Sequence, residues 1–332
     1  MTDRSKKKVV HGGYGKRQHE KTQKNVLDFS ASTNPFPPTV SWRCDPFFLK
    51  HYPDDNYIDL KETIGQTFHR KPEEICVGNG SMELIRVFCS EIFTQFRTFF
   101  TETPTFGEYE YSAQITGAEK VHDLSNADVC FICNPNNPTG TLRTKADMIS
   151  LVTEMEGHNG ILCADEAFIE LADPAQSLVD VQNNSLILLH SLTKCFAVPG
   201  LRFGYGFGDR DLIEKMEARR PPWSVNAYAE AFALQAFRHY HELEQSRIFI
   251  KRERTWLIDH LKVLGLFCAP SSANFLLIET GRNVDELCKK LETVDVLVRD
   301  CTSFGLPTSI RIAVRTRDEN RCLVEALAAC LR

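Results

Sequence analysis

Short apolar runs alternate with longer stretches of helical spacing along most of the chain. Runs at 97–101, 119–122, 129–133, 160–164, 186–190 and 203–207 predict buried strands, and Val26–Ser30 predicts a short strand nearer the start. Helical spacing over 57–70, 81–96 and 144–157 lies between such runs, which predicts a mostly parallel sheet joined by right-handed crossovers. Farther on, one long helix from about 225 to 265 is expected, closed by Gly265. Strands at 274–279, 296–299 and 310–314, with helices at 283–292 and 317–331, then build a smaller α/β unit. The expected division is an N-terminal arm (1–30) packed on the small domain, a large domain (31–218), and an interdomain helix with the small C-terminal domain (219–332).

The chemistry sits in the loops that follow the strands. In the stretch Ser191 to Tyr205, Lys194 lies among small and hydroxyl residues with Arg202 eight positions on. A lysine amine whose pKa is lowered by neighbours is the side chain for a Schiff base to an aldehyde cofactor. The planar fork of Arg202 and the Ser191 hydroxyl suit that cofactor's phosphate. Gly78-Asn79-Gly80-Ser81-Met82 opens a helix after the run Ile75-Cys76-Val77, so backbone N–H groups there can meet an anion at a helix N-terminus. The turn-forming loop Asn134 to Gly140 follows a buried strand and can aim the Asn137 amide into a cleft. Asp165 ends another buried strand, where open α/β sheets bind ligands, and suits a protonated pyridine nitrogen.

Composition narrows the function classes. A formal charge of −5 gives no broad basic surface, which argues against nucleic acid as a partner; Lys6-Lys7-Lys8 reads as a solvated arm. No run approaches the roughly 20 apolar residues that span a bilayer, and no secretory leader opens the chain, so a cytoplasmic protein is expected. Cys130 and Cys133 form a C-x-x-C, but no second pair or paired histidines complete a zinc set; the twelve cysteines read mostly as small apolar residues and no metal is expected.

The set and order of these motifs resembles the fold-type I, pyridoxal phosphate-dependent class I/II aminotransferase superfamily, over about residues 11–317. Within it the chain is similar to histidinol-phosphate aminotransferases and, more closely, to threonine-phosphate decarboxylases of cobalamin biosynthesis. The details favouring the latter are His11-Gly12-Gly13, Ser191-Leu192-Thr193-Lys194 followed by Ala197-Val198-Pro199-Gly200, Pro222-Trp223-Ser224-Val225-Asn226-Ala227, and the segment Ile310 to Thr316. Phe168, where aminotransferases usually carry tyrosine, agrees with that pattern.

The resemblance implies an aspartate aminotransferase-like α/β fold with pyridoxal 5′-phosphate as cofactor. It assigns Lys194 as the covalent anchor and proton shuttle, Asp165 as partner of the ring nitrogen, and Asn137 as donor to the ring's 3′ oxygen. Phe106 would stack on the ring and Phe168 would replace the usual tyrosine donor, while Gly80, Ser81, Met82, Ser191 and Arg202 would hold the phosphate. Tyr52 would reach the cofactor phosphate of a neighbouring subunit, implying a homodimer with shared sites. Arg299 and Arg311 would take the carboxylate and phosphate of a small phosphorylated amino acid, in an order the sequence leaves open. His11 and Asn34 would close over the phosphate end. The implied reaction is decarboxylation of L-threonine O-3-phosphate to (R)-1-aminopropan-2-yl phosphate. Histidinol-phosphate transamination and decarboxylation of L-serine O-phosphate are the alternatives.

Overall fold

The structure, a computed structural model, describes residues 9–23 and 25–331, so Lys6-Lys7-Lys8 falls outside the described residues. The chain begins with helix α1 (Gly15–Thr22) and strand β1 (Leu27–Asp28). Then come α2 (Ile58–Phe68), β2 (Ile75–Gly78), α3 (Ser81–Ile92), β3 (Thr98–Thr101), α4 (Glu108–Ile115) and β4 (Glu119–Lys120). Next are β5 (Val129–Cys133), α5 (Lys145–Gly157), β6 (Ile161–Asp165), β7 (Leu186–His190), one helical turn α6 (Leu192–Cys195), β8 (Gly204–Gly208) and α7 (Arg210–Arg219). The C-terminal part holds α8 (Ala227–Ala236), α9 (Leu243–Val263), β9 (Phe267–Cys268), β10 (Phe275–Glu279), α10 (Asp285–Thr293), β11 (Val296–Leu297), β12 (Arg299–Asp300), β13 (Ser309–Ala313) and α11 (Arg317–Cys330).

Seven strands form the main sheet in the order β2-β8-β7-β6-β5-β3-β4. The pairs from β7 through β4 are parallel, whereas β8 runs against both β7 and β2. The continuous apolar runs have a direct cause, because both faces of this sheet are covered. Cys130 and Ile132 of β5, Leu162 and Ala164 of β6, and Leu186 and Leu188 of β7 enter one core with α2 and α5. The intervening Phe131, Cys163, Ile187 and Leu189 enter a second core with α3 and α7. Strand alternation thus splits one apolar segment between two cores. The C-terminal ends of β5, β6 and β7 release the loops that carry Asn137, Asp165 and Lys194 at the same edge of the sheet.

A four-stranded antiparallel sheet, β12-β13-β10-β9, lies in the C-terminal part, and β1 pairs in parallel with β11. The N-terminal segment is thereby tied to the C-terminal part. Three expectations change. The strand expected over 296–299 is two, with β11 on β1 and β12 on β13. The strand expected at Val26–Ser30 shortens to two residues. The single helix expected from 225 to 265 is broken, with the tighter 3-10 segment Phe237–Glu242 between α8 and α9. That segment buries Phe237 and brings the Tyr240 hydroxyl to within 3.0 Å of Glu170 Oε1, a tertiary contact that outweighs helical continuity.

Candidate active site

A cavity of about 450 Å³ opens where the loops after β5, β6 and β7 meet the arm and the small sheet. Lys194, Asp165, Asn137, Phe168, Ser191, Arg202, Ser81, Met82 and Phe106 line it from the large-sheet side. His11, Arg299 and Arg311 line it from the other.

Lys194 is half-buried on α6, a helical turn too short to place it anywhere but at the mouth of β7. Its amine pKa falls to about 8, first because burial penalises the charge and then because Arg311 and Arg202 repel it; Asp165 opposes. The Nζ atom lies 5.9 Å from the Phe168 ring centroid, and that ring packs edge-on against Phe275. Asp165 is 4 % exposed, and burial pushes its carboxyl upward despite the opposing Tyr109 and Ala167 hydrogen bonds. Tyr109 donates from its hydroxyl to Asp165 Oδ2 at 2.6 Å and stacks on Phe131. Sequence reading missed Tyr109. The available signal was its place three residues after Phe106, whose ring it meets edge-on at 5.4 Å.

The phosphate-side geometry depends on two glycines. Gly80 precedes α3 with φ +81°, no side chain caps the helix, and a Cβ at 80 would lie 2.5 Å from Arg202 Nη2. A Cβ at Gly204 would lie 2.2 Å from the Ser81 nitrogen. Both side-chain-free positions keep the α3 N-terminus and Arg202 in close approach, a cradle for an anion. Gly80 therefore acts from just outside the cavity lining. The Ser191 hydroxyl pairs with that of Thr193 at 2.9 Å.

On the opposite wall Arg311 is buried, donating from Nη1 to Asn137 Oδ1 and from Nη2 to the Ser30 carbonyl, while its Nε has no partner. Burial lowers its pKa to about 10. Arg299 is also buried; its Nη2 donates to the Val10 carbonyl at 2.7 Å and to Ser303 Oγ at 2.6 Å. His11 Nε2 lies 2.8 Å from Glu108 Oε1. Ser32, which the sequence reading passed over, lines the same wall with its Oγ buried and unpartnered.

Two predicted residues are placed elsewhere. Asn34 is a correction: its Nδ2 donates to the Cys195 carbonyl at 2.7 Å and to Ser246 Oγ at 2.9 Å, and its Oδ1 accepts from the Phe36 N–H. Its amide is spent on protein partners and lies outside the cavity lining, so it braces the lysine's turn and does not face a ligand. Tyr52 stands 78 % exposed on the outer surface, stacked on Trp223 with ring centroids 4.3 Å apart. Arg315 and Arg317 are held by Glu319 and Glu253 respectively.

Directly behind the site lies a second, buried polar cluster. His190 is held between Glu170 Oε1 at 2.6 Å and Glu166 Oε2 at 3.2 Å; burial disfavours its charge, but the charges and hydrogen bonds of the two glutamates together push its imidazole pKa up to about 10. Tyr205 and Tyr240 also donate to Glu170, while Ser177 Oγ and the Leu178 N–H donate to Glu166.

A fold of this topology with a desolvated lysine facing a buried aspartate defines a class, and comparison with known proteins bears it out. The profile of the family Aminotransferase class I and II matches residues 48–327, and the chain belongs to that family. A provisionally named threonine-phosphate decarboxylase from Caldanaerobacter subterraneus subsp. tengcongensis is 33% identical, over 90% of this chain and 88% of its own. The solved histidinol-phosphate aminotransferase from Clostridium acetobutylicum is 29% identical, with a TM-score of 0.81 over 92% of this chain and 99% of that one. The solved L-threonine-O-3-phosphate decarboxylase from Porphyromonas gingivalis is 25% identical, with a TM-score of 0.76 over 84% and 92%. The fold is aspartate aminotransferase-like and the cofactor of the family is pyridoxal 5′-phosphate. The residues present fit it. The uncapped α3 terminus and glycine cradle suit its phosphate, the buried Asp165 suits a cationic ring nitrogen, and the unpartnered Arg311 Nε and Ser32 Oγ await a polar ligand.

Proposed function

We propose that this enzyme decarboxylates L-threonine O-3-phosphate to (R)-1-aminopropan-2-yl phosphate, in the cytoplasm and as a homodimer. The observation that carries the reading is a pair of buried guanidinium groups on one wall, cross-strand neighbours in the β12–β13 register with different partners, Arg311 bonded to Asn137 and Arg299 under the arm beside Ser303. A small substrate with two anionic groups, a carboxylate and a phosphate, offers one to each fork. Arg311, bonded to Asn137 in the depth of the site, takes the carboxylate, and Arg299 with His11 takes the phosphate. The 33% identical relative named for this activity supports the choice.

Bound in the cradle, the cofactor supplies an electron sink for the pair left when a bond at the substrate Cα breaks. Asp165 keeps the ring nitrogen protonated, and the Tyr109 hydrogen bond holds that carboxylate in place. Arg311 sets the direction of the carboxylate, and so decides which bond is weakened. Lys194, with its lowered pKa, holds a proton on Nζ and returns it to Cα once carbon dioxide has left. Phe168 offers no hydroxyl beside that amine and walls it with an apolar face.

Histidinol-phosphate transamination is the second reading, favoured by the likeness to the Clostridium enzyme. Purified holoenzyme given threonine phosphate should release carbon dioxide. Glutamate formation from histidinol phosphate and 2-oxoglutarate, without carbon dioxide release from threonine phosphate, would overturn the reading, and faster turnover of serine phosphate would replace the substrate. Dimerisation is supported by an exposed apolar surface around Tyr52 that includes Phe47, Phe48 and Trp223. Sedimentation equilibrium should return twice the 37.7 kDa chain mass.

A further inference from the structure

Residues 9–14 have no regular structure, yet Val9 to Gly13 form part of the cavity wall. Three contacts hold this arm. Arg299 donates to the Val10 carbonyl at 2.7 Å, and the Gly13 N–H donates to Ser30 Oγ at 2.8 Å. The third, His11 to Glu108 at 2.8 Å, alone crosses to α4, the helix that follows Phe106. Arg299 belongs to the small sheet, and Ser30 lies just after the strand paired with β11, so of these three hydrogen bonds the histidine's spans the cavity mouth, where Val9 also packs near Gly107.

Glu108 is unusual for a residue on a surface helix. It is 5 % exposed, and its two oxygens have one partner each, Arg86 Nη2 on Oε2 at 2.8 Å and His11 Nε2 on Oε1 at 2.8 Å. A buried carboxylate needs a charged partner, and Arg86 meets that need. The second oxygen is left for a half-exposed ring on an irregular segment. With Nε2 committed to Glu108, Nδ1 is the one remaining polar atom of a side chain that lines the cavity 5.9 Å from the Phe106 ring centroid, and it donates to an anion when the ring is the imidazolium, in which both nitrogens are donors.

We propose that Glu108 is a positioning residue for substrate binding. It fixes the His11 imidazolium through Nε2–H, leaves Nδ1–H to donate to the anionic end of the substrate beside Arg299, and latches the arm across the mouth. The inference rests on the proposed phosphorylated amino-acid substrate, and deepens it. Ordering the arm in advance lowers the entropy lost on binding, so the latch acts on affinity and not on bond breaking.

The test compares cofactor-loaded wild type with Glu108→Ala, Glu108→Gln, His11→Ala and the His11→Ala/Glu108→Ala double variant. Loss of the latch should raise KM for threonine phosphate roughly tenfold and lower kcat by no more than about twofold. Glu108→Gln, which keeps an acceptor, should recover part of the loss. Without substrate, amide hydrogen exchange over residues 9–14 should quicken in both alanine variants, and the double variant should match either single one. Unchanged exchange in Glu108→Ala, or single effects that multiply in the double variant, would overturn the latch. If Glu108→Ala does not fold, Glu108→Gln and His11→Ala give the same comparison, because His11 lies on the arm. If wild type does not act on threonine phosphate the proposed reaction fails, while arm exchange with and without inorganic phosphate still decides the role of Glu108.

Discussion

Asp165 and Glu166 are consecutive residues at the end of one strand, and their surroundings are opposites. Glu166 faces a nearly finished network in which His190, Ser177 and the Leu178 N–H meet its oxygens, and Glu170 beyond is met at Oε1 by His190, Tyr205 and Tyr240, with its Oε2 left over. Asp165 faces a cavity whose groups are left short: a lysine with a lowered pKa, an arginine with an unpartnered Nε, and a serine with an unpartnered Oγ. The first arrangement stabilises the fold, because buried charge is tolerable only when paired. The second costs stability and keeps it as ligand affinity, the usual relation between an active site and its scaffold.

The largest effect should come from the unfinished side. Lys194→Ala should reduce turnover at least about 1,000-fold and abolish borohydride attachment of the cofactor to the protein, measured by mass spectrometry; full activity would remove the basis of the contrast. On the finished side, His190→Gln leaves two buried carboxylates without their cation and should cost about 3–5 kcal/mol in urea unfolding, with a smaller direct effect on chemistry. The imidazole's folded pKa, about 10, lies above its ordinary 6.5, so its stabilisation is complete below pH 6.5 and is lost as pH rises through 10. Wild-type stability should therefore decline across that alkaline window, and His190→Gln should flatten the decline. Tyr109→Phe should have the smallest effect of the three. It strips one bond from Asp165, costs about 1–2 kcal/mol and weakens cofactor binding roughly tenfold by fluorescence titration.

Much of this was legible in the chain, for identifiable reasons. The strands of the main sheet are apolar at every position because both faces are buried, so β5 and β7 stand out without any alternation. Lys194, Asp165, Asn137 and the Gly80 turn were recoverable because each follows directly from such a strand or from the turn residues beside it. Asn34 was misread because its partner Ser246 lies 212 residues away, a distance no local pattern spans. The break at Phe237–Glu242 was hidden for a similar reason, since it answers to Glu170 across the fold and not to its own sequence. His190 read as one more dispersed histidine because its glutamates sit on other elements.

Asn34 shows where that hidden wiring leads. Its N–H is bonded to the Lys194 carbonyl and its side chain to Cys195 and to Ser246 on α9, so a single residue gears the long helix to the turn bearing the reactive amine. Any tilt of α9 reaches the lysine's main chain through two hydrogen bonds. A substitution that shifts α9 therefore shifts the amine with it.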